Sequence, residues 1–434
     1  MTESRELYDH QKKALEFLSP EGGYLAFEQG LGKTLTAIRY AEKHWATRVL
    51  VVCPAVAIGV WENELLEAGH APLIPQGTRK EKAEFIAGSG GGYLVLNYEA
   101  LIELAVERAV SKWMPDLIII DEAQKIKTAT AKRSKVLHRL GKDTTVLALS
   151  GTPITKNLLD LYSQYKTIDP DIWGGVSWTR FKQRYGVWGG YGGYELVGYQ
   201  NQDELLKKIE PYTLVARKED TLDLPSKTHV TVPVPLDPAS WRDYVAMARD
   251  GVARDWVTAT PLEKALRLSQ ITGEAKVEAT VDFVNGIVDG DDSVVVYFRF
   301  LKDGERLSDL LGVPALTGGT GALARTRMVE DFQAGRLPIF LSQITAGSTA
   351  ITLTRASHMV YHSLSYAYED WAQSQDRIHR IGQYHPCTYY YMVSTGPKHG
   401  ISIDTLVLNV LESKGDVASV VTHNPDLLLV KETE

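Results

Sequence analysis

Short runs of mostly apolar residues recur along the chain, and they restrict its fold more than any other feature. Continuous apolar runs of this length are typical of strands that are buried on both faces of a parallel sheet. The first series comprises Tyr24–Phe27, Val49–Cys53, Gly92–Leu96, Leu117–Ile120 and Thr145–Leu149. The second series comprises Ser293–Phe298, Leu337–Leu341, His358–Tyr361 and Thr388–Val393. Because polar, helix-length segments separate most runs, the sequence predicts an α/β fold of two tandem, mostly parallel sheets flanked by helices.

Chain length supports a division into two domains. A chain of 434 residues exceeds what one hydrophobic core usually supports. We expect the first domain at residues 1–228, with an insertion at about 170–228 that includes an aromatic and glycine-rich loop. The second domain is expected at residues 229–434, with a helical projection at about 239–289.

The composition is that of an ordinary folded protein. It is 44% hydrophobic and 23% charged, which is too apolar for a disordered chain. No apolar run approaches the roughly 18 residues that span a bilayer, and the first residues lack the pattern of a secretory signal. We therefore expect a cytoplasmic protein without membrane contact, in a bacterial or phage-infected cell.

A glycine-containing loop directly follows the first apolar run. It reads Glu28-Gln29-Gly30-Leu31-Gly32-Lys33-Thr34. Gly30 and Gly32 would let the backbone aim amide hydrogens at phosphate oxygens, and Lys33 would neutralise the β and γ phosphates. The Thr34 hydroxyl would reach Mg²⁺. The loop therefore predicts ATP and Mg²⁺ as ligands, although Phe27 stands where the strict phosphate-loop pattern has its first glycine.

Polar residues follow two further apolar runs. Asp121 would hold Mg²⁺, directly or through water, and Glu122 would orient the attacking water and accept its proton. An acidic pair after a strand can instead cap a helix. At the end of the next run, the hydroxyls of Ser150 and Thr152 could bond Gln124 and report the nucleotide state to a nucleic-acid site. A plain strand-to-loop turn is the alternative.

Two arginines near the carboxyl end form the third candidate group. Arg377 and Arg380 are three residues apart, so on a helix both guanidinium groups would emerge from one face and could point at one polyanion. Supplied by the second domain, they would neutralise charge on the γ phosphate when the two domains close on the nucleotide. The alternative is a solvated basic face near Asp376.

In order and spacing, these motifs resemble those of the Swi/Snf-type ATPases, the double-stranded DNA translocases within helicase superfamily two. The resemblance extends from about Leu7 to Lys414 and is most specific at Asp376–Gln383. It implies two RecA-like lobes, adenine recognition by Gln11 and a coupling role for Gln373. Gln124 occupies the place of a histidine, and both side chains can bridge by hydrogen bonds.

The resemblance also implies that double-stranded DNA lies across both lobes and is held mainly through its phosphates. The candidate contacts are Pro54, Thr317, Gly318, Gly319, Thr320, Thr345 and Gly347. Phosphate contacts carry little sequence information, so we expect binding that is independent of sequence and weakened steeply by salt. Because the net charge is -7, any basic surface must be local. The spacing from Tyr366 to Trp371 is similar to that of the HARP-like annealing helicases, which act on forked and branched DNA.

The resulting hypothesis is a monomeric ATP-dependent double-stranded DNA translocase or remodeller, a DNA-dependent ATPase that hydrolyses ATP at the lobe interface. A strand-separating DNA helicase of the same superfamily is one alternative. An ATP-controlled clamp that displaces a protein partner without travelling along DNA is another.

Overall fold

A computed structural model describes most of the chain. The described residues are 6–151, 153, 157–221, 224–258, 260–290, 292–347, 351–380, 382–397, 401–413, 417, 420–421 and 428. They divide into two compact units, Met1–Asp223 and Leu224–Glu434. The boundary predicted after residue 228 falls inside the first strand of the second unit, Lys227–Pro235.

The first unit is built on a parallel sheet. Its described strands are β1 (Gly22–Phe27), β2 (Arg48–Cys53), β3 (Pro72–Leu73), β4 (Gly92–Asn97), β5 (Leu117–Asp121), β6 (Thr145–Leu149), β7 (Gly186–Gly189), β8 (Glu195–Tyr199) and β9 (Thr213–Ala216). The sheet has the order β3-β4-β2-β5-β6-β1-β9, and each neighbouring pair is parallel. Strands β7 and β8 form a separate antiparallel hairpin. All five apolar runs of the first series are therefore strands of one sheet, as predicted.

Helices cover both faces of this sheet. They are α1 (Asp9–Phe17), α2 (Lys33–Lys43), α3 (Ile58–Glu67), α4 (Arg79–Gly88), α5 (Tyr98–Leu101), α6 (Leu104–Trp113), α7 (Lys132–Leu140), α8 (Leu161–Ile168), α9 (Trp178–Tyr185), α10 (Gln202–Ile209) and α11 (Lys218–Thr221). Successive residues of β1 enter two different cores, with Tyr24 on one face and Leu25 on the other. Burial on both faces explains why the strands are apolar throughout instead of alternating.

Only part of the range 170–228, which was predicted as an insertion, lies outside the main sheet. The glycine-rich loop lies in the β7–β8 hairpin, outside the main sheet. Strand β9, in contrast, pairs with β1 and forms the edge of the main sheet. Only the last residue of this strand is buried, so the strand does not give the apolar signal on which the strand predictions depended.

The second unit is also built on a parallel sheet. Its described strands are β10 (Lys227–Pro235), β11 (Val252–Ala253), β12 (Trp256–Val257), β13 (Val294–Phe298), β14 (Ala315–Leu316), β15 (Ile339–Gln343), β16 (His358–Tyr361) and β17 (Cys387–Thr395). The sheet has the order β10-β17-β16-β13-β15-β14, again with parallel pairs throughout. The predicted fold class, two tandem α/β units with parallel sheets, is confirmed.

The helices of the second unit pack on this sheet. They are α12 (Pro238–Asp250), α13 (Pro261–Ala275), α14 (Val277–Val288), α15 (Leu301–Leu311), α16 (Ala322–Gln333), α17 (Ile344–Gly347), α18 (Tyr368–Gln375) and α19 (Ile403–Glu412). Residues 239–289 are largely helical, as predicted, but they do not simply project from the unit. Leu268 of α13 joins the core on one face of the sheet, and Val284 of α14 joins the core on the other. No described helix is long and apolar enough to cross a bilayer.

Candidate functional site

The glycine loop turns between β1 and α2 through left-handed backbone at two glycines. Gly30 has a φ of 85° and Gly32 a φ of 72°, values that only glycine adopts at little cost. Gly32 directly precedes the first residue of α2, Lys33. A Cβ atom at Gly32 would also collide with the Gln11 side chain. The backbone therefore requires the glycines that the sequence analysis assigned to a phosphate-binding loop.

Gln11 is buried and holds the loop from the side of α1. Its Nε2 donates to the Gly32 carbonyl at 3.1 Å, and its Oε1 accepts from the Tyr8 amide at 2.9 Å. His10 contributes a second contact, because its Nε2 lies 2.9 Å from the Leu31 carbonyl oxygen. The proposed adenine-binding residue thus lies against the phosphate loop, and the sequence analysis did not anticipate His10.

Lys33 folds back over the loop. Its Nζ donates to the Phe27 carbonyl at 2.9 Å and to the Glu28 carbonyl at 3.4 Å. Its charge also opposes the rise that burial causes in the pKa of Asp121. Thr34 follows as the second residue of α2. A hydroxyl and a carboxylate at these positions are the hard oxygen ligands that suit Mg²⁺.

Asp121 ends β5, and both of its carboxylate oxygens accept hydrogen bonds. Oδ2 accepts from Trp61 Nε1 at 2.9 Å, and Oδ1 accepts from the Glu122 amide at 3.0 Å. Burial raises the Asp121 pKa to about 6, the neighbouring Glu122 charge adds to the rise, and Trp61 and Lys33 oppose it. A carboxylate with a perturbed pKa beside a lysine is typical of a functional site.

Glu122 has strained backbone and a carboxylate held by two amides. Its φ is 53°, a value that non-glycine residues rarely adopt and that is often found at active sites. Gln29 Nε2 donates to Glu122 Oε1 at 3.4 Å, and Gln124 Nε2 donates to Oε2 at 2.6 Å. The phosphate loop, through Gln29, therefore contacts the predicted catalytic base directly.

A chain of hydrogen bonds leads from Glu122 to the end of β6. Gln124 donates to Glu122, and its own Oε1 accepts from Ser150 Oγ at 2.6 Å. Both Gln124 and Ser150 are buried. This is the contact that the sequence analysis proposed between the two residues. The other hydroxyl assigned to it, Thr152, lies outside the described residues.

The two arginines of the second unit do not share a helix face, so the premise of that prediction is wrong. Helix α18 ends at Gln375, and the chain continues in turns past Arg377 and Arg380. The Arg377 side chain is only 6% exposed; its Nε donates to the Gln373 carbonyl at 3.0 Å and its Nη1 to the Ile351 carbonyl at 3.4 Å. Arg380 is partly exposed. Gln373, assigned to coupling, contacts Arg377 through its backbone.

Gln383 stabilises the turn that follows α18. Its Nε2 donates to the Ala356 carbonyl at 2.7 Å and to the Thr354 and Ile378 carbonyls at 3.2 Å. Its Oε1 accepts from the amides of the two residues that follow it, each at 3.0 Å. One buried side chain thus fastens the arginine-bearing turn to the segment before β16. These acceptors lie up to 29 residues away, beyond the range of a local pattern.

Most of the predicted DNA contacts cluster at one edge of the second sheet. Thr317–Thr320 follow β14 and Thr345 and Gly347 lie in α17 after β15, and these two strands are neighbours. The Thr320 hydroxyl accepts from the Thr317 amide at 2.9 Å, which closes the loop. Gly318 and Gly319 are exposed. Pro54 belongs to the first unit and follows β2.

Arg299 lies at the same edge and was missed by the sequence analysis. It follows β13, and its carbonyl accepts from Gln343 Nε2 at 3.2 Å, while Gln343 Oε1 accepts from the Gly318 amide at 3.4 Å. The guanidinium carbon lies 3.6 Å from the centre of the Tyr366 ring. Its Nη1 is buried without a hydrogen-bond partner among the described residues. A cation directly after a buried apolar run was the available signal.

Two family profiles match this chain, and a solved structure is similar to it. The profile of the SNF2-related domain matches residues 10–281, and that of the helicase conserved C-terminal domain matches residues 264–382. The solved SWI2/SNF2 ATPase core of Sulfolobus solfataricus in complex with double-stranded DNA is similar, with a TM-score of 0.47 and 22% identity over 99% of this chain and 98% of that one.

Three curated relatives match over most of this chain. YwqA of Bacillus subtilis (strain 168) is 27% identical over 94% of the chain and 48% of its own length. A Caenorhabditis elegans homologue of the SWI/SNF-related regulator of chromatin subfamily A-like protein 1 is 26% identical over 97% of the chain and 62% of its own length. The DNA annealing helicase and endonuclease ZRANB3 of Homo sapiens is 24% identical over 95% of the chain and 40% of its own length.

The chain spans between 40% and 62% of the length of these three relatives. The SNF2-related profile, in contrast, covers more than half of the chain itself, from residue 10 to residue 281. The chain therefore belongs to the SNF2-related family, as the resemblance of its motifs to the Swi/Snf-type ATPases predicted.

Proposed function

We propose that the chain is a DNA-dependent ATPase that uses hydrolysis to move along double-stranded DNA. The observation that carries the proposal is the Glu122 carboxylate, held by Gln29 of the phosphate loop and by Gln124 of the chain of hydrogen bonds that leads to Ser150. This arrangement joins a nucleotide-binding loop, a candidate base and a strand end in one hydrogen-bonded group. Membership of the SNF2-related family supports the same activity.

Hydrolysis would use the residues of the first unit. Phosphate oxygens would replace the two carbonyl groups that Lys33 now contacts. Glu122 would accept a proton from the attacking water while the water oxygen bonds to the γ phosphorus. The bond between the γ phosphorus and the bridging oxygen, which leaves with ADP, would break in the same step. Mg²⁺, when bound by Thr34 and Asp121, would neutralise charge on the phosphate oxygens. Gln11 would recognise the adenine.

The arginine-bearing turn would complete the site from the second unit. Arg377 is buried and bonded to two carbonyl groups of its own unit, so we assign it to holding the turn. Arg380 is the more exposed of the pair and is the better candidate for stabilising charge on the γ phosphate. This assignment narrows the role that the sequence analysis gave to both arginines.

DNA would be held at the strand ends of both units. The backbone around Pro54 would contact DNA phosphates from the first unit. The loop Thr317–Thr320, together with Thr345 and Gly347, would contact them from the second unit. Backbone amides and hydroxyls dominate this set, and they bind phosphates without reading bases. Arg299 adds a cation at the same edge, stacked on the Tyr366 ring, and its positive charge favours a phosphate nearby. Sequence-independent binding of double-stranded DNA follows.

We infer that forked or branched DNA is the substrate, from the resemblance of one segment to the HARP-like annealing helicases. ZRANB3 is named a DNA annealing helicase, and the spacing from Tyr366 to Trp371 is similar in the HARP-like branch. A strand-separating helicase and a non-travelling clamp remain the competing functions. These three functions differ in what they do to DNA. A helicase separates the strands of a fork, a clamp binds DNA without moving along it, and a translocase moves along intact duplex.

Hydrolysis rates on different DNA substrates test the proposal. Purified chain is assayed with single-stranded, blunt duplex and forked DNA of equal length, together with strand release from the fork. We expect duplex and fork to stimulate hydrolysis more than single strands, without release of a strand. Stimulation by single strands alone, accompanied by strand release, would instead establish a helicase.

A further inference from the structure

Trp61 connects two parts of the first unit that the proposed function uses separately. It lies in α3, which begins four residues after Pro54, and its side chain is fully buried in the core under the sheet. Its indole nitrogen does not face a backbone carbonyl. It donates to Oδ2 of Asp121, 60 residues further along the chain, at 2.9 Å.

The surroundings of Asp121 leave it little freedom. The Glu122 amide donates to Oδ1 at 3.0 Å, and the Tyr98 hydroxyl donates to the Asp121 backbone carbonyl at 2.6 Å. With one donor on each carboxylate oxygen and a third on the main chain, the carboxylate plane is fixed. The remaining lone pairs are free to accept bonds from a metal ion or its waters.

We propose that Trp61 is a positioning residue for the metal site: its indole N–H holds the Asp121 carboxylate in the orientation that binds Mg²⁺ together with ATP. The inference rests on the proposed function, because it assumes that Asp121 is a metal ligand. Groups that orient a ligand in this way commonly change metal affinity by about 10- to 100-fold when they are removed.

Other buried indoles of the same unit show what an ordinary structural tryptophan does. Trp113 Nε1 donates to the Gly90 carbonyl at 2.7 Å, and Trp173 Nε1 donates to the Tyr162 carbonyl at 3.0 Å. These bonds satisfy a buried donor with a neutral acceptor. The bond from Trp61 is different because its acceptor is the candidate metal ligand, and a charged acceptor makes it stronger.

The same bond gives DNA a short route to the metal site. A single turn, Ala55–Ala57, separates Pro54 from α3. A phosphate bound by the backbone around Pro54 would fix the start of α3, and Trp61 is the fourth residue of that helix. We therefore extend the proposal: DNA contact at Pro54 stabilises the Asp121 orientation through Trp61 and so increases affinity for the metal–nucleotide complex.

Metal binding, measured without catalysis, tests the positioning role. Mn²⁺ replaces Mg²⁺ and is titrated into the full chain with a non-hydrolysable ATP analogue, and bound Mn²⁺ is followed by electron paramagnetic resonance. Trp61→Phe should raise the Mn²⁺ concentration at half-saturation by about 10- to 100-fold. The matched control Trp113→Phe should leave it within about twofold, because Trp113 bonds only Gly90.

Each outcome of this titration supports or overturns the inference. Equal Mn²⁺ affinity in folded Trp61→Phe and in the parent chain would overturn it. If Trp61→Phe does not fold, a benzothienylalanine side chain at position 61 removes the N–H donor while keeping the shape, and the same titration applies. Failure of the parent chain to bind Mn²⁺ with the analogue would instead refute the proposed function.

A second titration, with duplex DNA present, tests the route from Pro54. DNA should lower the half-saturating Mn²⁺ concentration of the parent chain and of Trp113→Phe, and it should have no effect on Trp61→Phe. An equal effect of DNA on all three chains, or no effect on the parent chain, would show that Trp61 does not transmit DNA binding.

Discussion

Asp121 illustrates at the residue scale how a site can oppose stability. Burial and the charge of Glu122 raise its pKa to about 6, above the ordinary value of 3.8. The folded chain therefore holds this proton more tightly than the unfolded chain does. The stability that this proton provides is full below about pH 4 and is lost as the pH rises through 6. At about 1.4 kcal/mol per pH unit, ionising Asp121 costs on the order of 3 kcal/mol.

Replacing this carboxyl group should abolish ATP hydrolysis and remove the cost in stability of ionising Asp121 at high pH. Asp121→Asn removes the ionisable group and keeps one acceptor oxygen, so its amide nitrogen must face one of the two donors, Trp61 Nε1 or the Glu122 amide. We expect the change in the free energy of unfolding in urea, relative to the parent chain, to be about 1–2 kcal/mol more favourable at pH 8 than at pH 5, while ATP hydrolysis is lost.

Asp116→Asn is the contrasting control. Hydrogen bonds from Thr47 and Arg48 outweigh the effect of burial and lower the Asp116 pKa. The ionised carboxylate therefore stabilises the folded chain, and Asp116→Asn should destabilise it at pH 8. If Asp121→Asn changed the free energy of unfolding equally at pH 5 and pH 8, the raised pKa would be refuted.

The chain of hydrogen bonds from Glu122 to Ser150 should act as one unit in catalysis. Gln124→Leu removes the donor to Glu122 and the acceptor for Ser150 at similar volume. We expect kcat to fall on the order of 10²-fold, because the base loses its orientation, with little change in ATP affinity. Ser150→Ala should cost less. The double variant should resemble Gln124→Leu, since residues in one network do not add; strictly additive losses would show that they act separately.

Sequence patterns identified the central residues of this site and the contact between Gln124 and Ser150, but not the contacts of Trp61 and Gln29 with the acidic pair. The glycines, Lys33 and the acidic pair occupy fixed local positions, so spacing alone indicates them. Trp61 and Gln29 reach Asp121 and Glu122 across 60 and 93 residues of sequence. Only the folded sheet brings such contacts together, and a single sequence holds no local trace of them.

At the scale of elements, strands were predictable where both faces are buried. Each run of the first series enters cores on both sides of its sheet, and this produces an unbroken apolar signal. The end of α18 was not predictable in the same way. Local spacing favours a longer helix through Arg380, whereas the five hydrogen bonds of Gln383 hold the chain in a turn.

Gln383→Glu should loosen this turn. The change places a carboxylate oxygen against three carbonyl oxygens that now accept from an amide, so repulsion replaces attraction. We expect the free energy of unfolding to fall by about 1–3 kcal/mol, measured in urea. Gln200→Glu is the control, because Gln200 is exposed and donates to a single carbonyl, and it should change stability little. Equal effects of the two changes would contradict the assigned role of Gln383.

At the scale of the whole molecule, the net charge does not determine the affinity for DNA. The net charge of -7 argues against a uniformly basic surface, so affinity for DNA depends on local groups such as Arg299. Because the candidate contacts are mostly neutral donors with few cations, we now expect affinity to fall less steeply with salt than the sequence alone suggested. The sequence indicated the two units and most loops of this surface, but Arg299 became evident only when its position beside the Gly318 loop was known.

Arg299→Ala should reduce the slope of log affinity against log salt concentration by about 0.9, the value for one lost phosphate contact. Affinity for blunt duplex of unrelated sequences is measured from low to moderate salt. Arg306→Ala is the control, because Arg306 already pairs with Glu278 at 2.8 Å and should leave the slope unchanged. An unchanged slope in Arg299→Ala would exclude Arg299 from the DNA surface.

Displacement of a third strand from a DNA triplex tests the central claim most directly, because only movement along intact duplex releases that strand. The account predicts ATP-dependent release by the parent chain. It predicts no release by Glu122→Gln, which should retain ATP and DNA binding but lack the base. Vigorous duplex-stimulated hydrolysis without release of the third strand would contradict translocation.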